Sequence, residues 1–243
     1  MAVTSGTDAT LLRNRILRAL PRDERERLIA DFDVVALPAR TVIFEPGEPI
    51  RWVHFPLDGV VSLVTPLATG DIVEVATIGN EGIVGVPLVA GGSMMVRAIS
   101  QVGGHALRID GARLATNLER GCPVLHGLVR RYVQGLFGQI SQAAACNRLH
   151  SNEERLSRWL LMSHDRVGRD TFSITHEFLG QMLGSRRATV TLSAGLLQAA
   201  GLIRYQGGRV TIIDREGLEA VSCECYGSIR AALDAVVASP LKP

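Results

Sequence analysis

The chain has 243 residues, 47% of them hydrophobic and 21% charged, with a net charge of +2. This is a globular composition with room for two cores, and it excludes a disordered chain or a polycation, so any nucleic-acid affinity must come from a local patch. No apolar run approaches the ~20 residues of a membrane span, the opening MAVTSGTDAT lacks a leader-like apolar core, and the four cysteines form no dense framework, so a cytoplasmic, reduced protein away from membranes is expected.

In chain order, residues 11–31 carry helical apolar spacing interrupted by Pro21. Short apolar segments follow, at Val34–Leu37, Val42–Phe44, Val53–Phe55, Val60–Val64, Ile72–Ile78, Val84–Val89, Val96–Ser100 and Ala106–Ile109. Turn signals separate them, among them Pro46–Gly47, Asp58–Gly59 and Gly103–Gly104. Strands at this spacing predict a sandwich or small barrel. From Pro123 to about His150 the period becomes helical, with a wide apolar stripe (Leu125, Leu128, Val129, Tyr132, Val133, Leu136, Phe137 and Ile140). So much apolar surface predicts packing on the roll and also against a second copy, through Leu125, Val129, Tyr132, Val133, Leu136, Phe137 and Ile140. A further helix is expected over Glu153–His164.

Residues 175–213 carry the sharpest pattern. Thr175 is a candidate N-cap, Leu179, Met182 and Leu183 form an apolar stripe, and Gly184–Ser185 suits a tight interhelical turn. A second helix begins at Arg186–Arg187 with Val190, Ala194 and Leu197 on its packing face, and ends at Gly201. Leu202–Arg204 and Arg209–Ile213 read as strands joined across Gln206–Gly207–Gly208. The whole is a winged helix-turn-helix. Between Glu177 and Asp214 there is no acidic residue but there are four arginines, the local basic footprint that DNA binding requires. Asp214 is a candidate N-cap for a terminal helix over Glu216–Val237.

Taken together, the segment Phe44-Glu45-Pro46-Gly47-Glu48-Pro49, the long helix, the hinge-like Asn147–Leu156 and the helix-turn-helix ending Ala200-Gly201-Leu202-Ile203 resemble the Crp/Fnr family of bacterial transcription regulators. The resemblance spans roughly residues 11–213. It implies an α+β chain in three parts: an N-terminal cyclic-nucleotide-binding-like β-roll (jelly roll) over 1–122, a long dimerisation helix over 123–150, and a C-terminal winged helix-turn-helix over 151–243. It further implies a homodimer on near-palindromic double-stranded DNA, with RNA polymerase as a further candidate partner. It places Arg187 where the family contacts guanine and Ala188 and Leu192 where the cAMP-responsive member carries polar base-reading residues; Thr191 joins them on the reading face. Thr175, His176, Ser185, Arg186, Thr189, Tyr205 and Arg209 are candidate phosphate contacts.

The cyclic-nucleotide cassette of that family is degenerate here. The matching pocket residues are Gly85, Val86, Ser93, Met94, Arg97, Ile140 and Ser141. Val86 stands where the family has a ribose-binding glutamate, and Gly92 where it has the phosphate-binding arginine. An effector other than cAMP, or none, is therefore expected, with a cyclic-nucleotide- or dinucleotide-responsive regulator as the alternative. No cysteine precedes Cys122, which argues against the iron–sulfur cluster of the oxygen-sensing branch, and His54 and His105 are haem-ligand candidates by residue type alone. No cofactor is expected.

Other chemistry is weakly signalled. Cys122/His126 and Cys146/His150 each have i,i+4 spacing, but a metal site needs two more ligands. Cys223-Glu224-Cys225 falls on the expected terminal helix or at its edge, and residues i and i+2 of a helix do not face each other. These cysteines and histidines are read as structural, so no metal site is expected, and a redox or metal sensor is the different-class alternative. No GxxxxGK[ST], HExxH or GxSxG motif occurs, so no catalytic residues are assigned and no enzyme is expected.

Overall fold

The computed structural model describes residues 10–86 and 93–238. Pro21 separates two short helices, α1 (Arg15–Arg18) and α2 (Arg22–Leu28), and a 3-10 turn at Ile29–Asp31 leads into the roll. Its strands are β1 (Asp33–Leu37), β2 (Val42–Phe44), β3 (Trp52–Pro56), β4 (Val60–Pro66), β5 (Ile72–Ile78), β6 (Arg97–Val102) and β7 (Gly104–Asp110). They form two sheets of order β1-β7-β3 and β2-β6-β4-β5, antiparallel in every pairing. Phe55, Leu63, Leu107 and Ile109 fill the space between them. Of the expected strand at Val84–Val89, Val84 forms an isolated bridge with His54, and residues 87–89 lie outside the described residues.

Helix α3 (Gly111–Arg120) has no counterpart in the sequence reading; the Asp110 side chain caps it by accepting from the Ala112 and Arg113 amides. The long helix α4 runs from Pro123 to Leu149. Proline at its start needs no amide partner. Glu24 of α2 accepts from the Val124 and Leu125 amides at 2.8 and 3.0 Å, a cap supplied from a hundred residues away.

Helix α5 (Asn152–Val167) opens with a capping box, Ser151 with Glu154, and closes at Gly168. Strand β8 (Thr171–Ser173) then precedes α6 (His176–Leu183) and α7 (Arg187–Ala199), and β9 (Ile203–Gln206) and β10 (Arg209–Ile212) make the wing. The three strands form one sheet, β8-β10-β9; β8 was not anticipated, being only three residues long. The expected single terminal helix is two, α8 (Arg215–Ala220) and α9 (Cys225–Ala238), broken over residues 221–224. No helix among the described residues is long and apolar enough to cross a membrane.

Candidate DNA interface and effector cavity

The helix-turn-helix is built by local rules. Thr175 Oγ1 accepts from the Phe178 amide and starts α6. Gly184 ends it in the left-handed region at φ +57°, and Gly180 admits the turn, since a Cβ there would stand 2.8 Å from the Ser185 carbonyl oxygen. Leu179, Met182, Leu183, Val190, Ala194 and Leu197 are buried between the helices, as their spacing predicted.

The structure divides the candidate contacts into two groups. Arg186, Arg187, Ala188, Thr191 and Leu192 are exposed along the start of α7, Leu192 at 71%, and Arg209 is exposed on the wing; Thr189 is half-buried. The other four are held by internal contacts. Ser185 Oγ donates to Asn152 Oδ1 at 2.5 Å. Tyr205 donates to the Ile174 carbonyl at 2.7 Å. The His176 ring stacks on Tyr205 at 4.0 Å and meets Thr191 Oγ1 through Nδ1 at 3.0 Å. Burial, then the nearby Arg187 charge, lowers its pKa, so His176 is a neutral strut between wing and α7. Thr175 likewise spends its oxygen on the cap.

The cavity in the roll holds about 330 Å³. Its walls are Leu63, Ile78, Ile83, Gly85, Val86 and Met94 from the roll, and Val133, Leu136, Phe137 and Ile140 from α4. No charged side chain lines it among the described residues. Of the expected pocket residues, Gly85, Val86, Met94 and Ile140 line it, whereas Ser93 and Ser141 point to solvent. Arg97 pairs with Glu45 at 2.8 Å and is also outside the lining. Gly92 lies outside the described residues. His54 and His105 line no part of the cavity; burial, then the Arg108 charge, drives His54 down to about 4.

The expected dimer face needs correction. Leu125, Val129, Tyr132 and Leu136 are buried within their own chain, because α4 lies along the roll and α9. Ile140 is half-buried. Only Val133 and Phe137 are exposed, the latter at 70%. Arg130, Gln134, Ser141, Ala144 and Arg148 share the exposed stripe, a polar-flanked face that hydrophobic spacing alone did not isolate.

The roll and the DNA-binding domain are joined by buried polar contacts. Arg166 of α5 pairs with Glu81 at 2.7 Å and donates to the Thr77 and Met162 carbonyls, both at 3.1 Å. Trp159 Nε1 donates to Glu74 of β5 at 3.1 Å, and Ser62 Oγ donates to the same carboxyl at 2.6 Å. Burial pushes Glu74 up to about 7 against the opposing pull of Ser62, Arg158, Arg166 and Trp159.

The chain thus combines a two-sheet roll, a long helix and a basic-faced winged helix-turn-helix. Residues 154–221 match the family model of the Crp-like helix-turn-helix domain. No curated protein matches the chain by sequence. Among solved structures, a putative Crp/Fnr-family transcriptional regulator from Eubacterium rectale superposes with a TM-score of 0.65 at 16% identity, covering 86% of this chain and 98% of that one. FixK2 from Bradyrhizobium japonicum gives 0.67 at 16%, covering 79% and 98%. The c-di-GMP-responsive global regulator CLP from Xanthomonas campestris gives 0.63 at 18%, covering 78% and 97%. The chain thus carries a Crp-like DNA-binding domain within the fold of the Crp/Fnr transcription regulators.

Proposed function

We propose that the protein is a homodimeric, sequence-specific DNA-binding transcription regulator whose roll takes an apolar effector, or none, in place of a cyclic nucleotide. The observation that carries the DNA-binding reading is the exposed start of α7, where Arg186 and Arg187 form no ion pair among the described residues. A recognition helix inserts this end into the major groove, with phosphates and base edges on either side. Dimerisation is supported by the exposed stripe of α4 centred on Val133 and Phe137. These two residues also line the roll cavity, so a partner helix laid there would close its mouth and couple occupancy to the dimer.

The effector reading rests on the wall chemistry. An anionic cyclic phosphate desolvated in an apolar cavity needs a cation and hydrogen-bond donors to offset the loss of water. Among the described residues the cavity wall has no charged or polar side chain, and Arg97 is committed to Glu45. An apolar molecule of a size to fill about 330 Å³ fits better. The test is selection from a random-duplex library with the full-length protein. A near-palindromic motif with half-sites about one helical turn apart, ~34 Å, is expected. Recovery of unenriched sequence overturns the proposal.

A further inference from the structure

The largest body of chemistry unused by this reading lies where α4 ends. Cys146 lies in the last turn of α4, and His150 is the capping residue just past its end. Cys223 lies in the break between α8 and α9, and Cys225 opens α9. The three Sγ atoms and a His150 ring nitrogen all lie within 4.8 Å of one another. Cys146 Sγ is 3.5 Å from Cys223 Sγ, and Cys225 Sγ is 3.5 Å from His150 Nδ1. Around a tetrahedral zinc ion, with bonds of about 2.3 Å to sulfur and about 2.0–2.1 Å to nitrogen, neighbouring ligand atoms stand about 3.5–3.8 Å apart.

We propose that Cys146, His150, Cys223 and Cys225 bind one zinc ion as a closed Cys3His site that ties the end of the long helix to the C-terminal helix. The surroundings fit a metal. His150 Nε2 lies 3.2 Å from Glu224 Oε2, so its proton goes to the carboxylate and the Nδ1 lone pair faces the sulfurs. Gln142 Nε2 donates to Cys225 Sγ at 3.1 Å, a contact that favours a thiolate. Zinc with three thiolates and a neutral imidazole carries one net negative charge. Arg155 and Arg158 are buried, lie close enough to Cys146 to act on it electrostatically, and among the described residues have no carboxylate within ion-pair distance. Their charge offsets that of the complex. Ligand atoms this close together suit a single ion, and a sulfur-rich set suits a soft one. Four protein ligands leave no open position, so the site is structural, and its binding free energy is folding free energy.

Loading releases to solvent the protons still carried by the three thiols.

The experiment is metal analysis of the purified full-length protein, followed by titration of the metal-free protein with cobalt. One zinc per chain is expected, and cobalt should give thiolate charge-transfer bands with the intense visible bands of a tetrahedral ion. C223S and C225S should abolish them. Because those variants disturb a buried cluster, E224Q is the second arm. It leaves all four ligands in place and should weaken zinc affinity about 10–100-fold. Failure to retain or take up zinc, an octahedral cobalt spectrum, unchanged affinity in E224Q, a Cys146–Cys223 disulfide formed in the presence of zinc, or an iron–sulfur chromophore each overturns the assignment.

Discussion

Replacing Arg166 with methionine should be among the most damaging single changes at the junction of roll and DNA-binding domain. Both Arg166 and Glu81 are buried, with side chains 5% and 8% exposed, and the guanidinium meets the carboxylate through Nε at 2.8 Å and through a terminal nitrogen at 2.7 Å. Without it, Glu81 loses both guanidinium contacts and keeps the Gly79 amide at 3.1 Å, and the Thr77 carbonyl, which also accepts from the Gln139 amide, loses a donor. Removing one member of a buried pair strands the other charge and costs about 3–5 kcal/mol. That is a large share of the 5–15 kcal/mol typical of a folded protein. Replacing both members removes the charge as well as its partner, so R166M/E81Q should lose substantially less than the sum of the two single variants. Urea unfolding of wild type, R166M, E81Q and the double variant measures this cycle. A loss below about 1 kcal/mol for R166M, or strict additivity, would refute the reasoning.

Three further outcomes follow from the same geometry. Glu74 has its pKa raised on folding to about 7, so the folded state holds a proton that the unfolded chain gives up, and stability falls as pH rises from ~4.5 to ~7. E74Q should match wild type below pH ~4.5 and exceed it by roughly 1–3 kcal/mol at pH 8, whereas equal stability at pH 8 counts against a protonated Glu74. Phe137→Glu puts a charge on the exposed stripe of α4 while sparing the chain's own core, so sedimentation should show monomers at concentrations where wild type is dimeric; an unchanged dimer places the interface elsewhere. Calorimetry with cyclic AMP or cyclic GMP should give no saturable heat, because no cation lines the cavity among the described residues; micromolar binding would mean that Arg97 leaves Glu45 to supply one.

Much of the fold was legible because its signals are local. The helix-turn-helix follows from caps, a left-handed glycine and apolar spacing, all within twenty-five residues. The seven regular roll strands follow from apolar runs between turn residues. What escaped was non-local. Strand β8 is held mainly by its pairing with β10. Leu125, Val129, Tyr132 and Leu136 announce themselves as apolar but not whether their partner is the same chain. His176 and Tyr205 looked like surface contacts until the wing folded one onto the other. The cysteine cluster is the clearest case. Its halves are 77 residues apart along the chain, and the spacing argument against Cys223 and Cys225 assumed a continuous helix that the structure breaks at 221–224.

The central claim is that α7 reads DNA through its exposed start, and binding-site selection with two variants tests it most directly. Arg187, on the first turn of α7, is assigned a bidentate contact to guanine, worth ~1–3 kcal/mol of discrimination. Arg186, at the N-cap, is assigned a phosphate contact. Arg187→Ala should flatten preference at one symmetric pair of positions. Arg186→Ala should keep the motif, weaken specific and random duplexes alike, and lower the salt slope by about one. If both variants return the wild-type motif at wild-type affinity and salt dependence, the start of α7 does not read DNA, and the account fails at its centre.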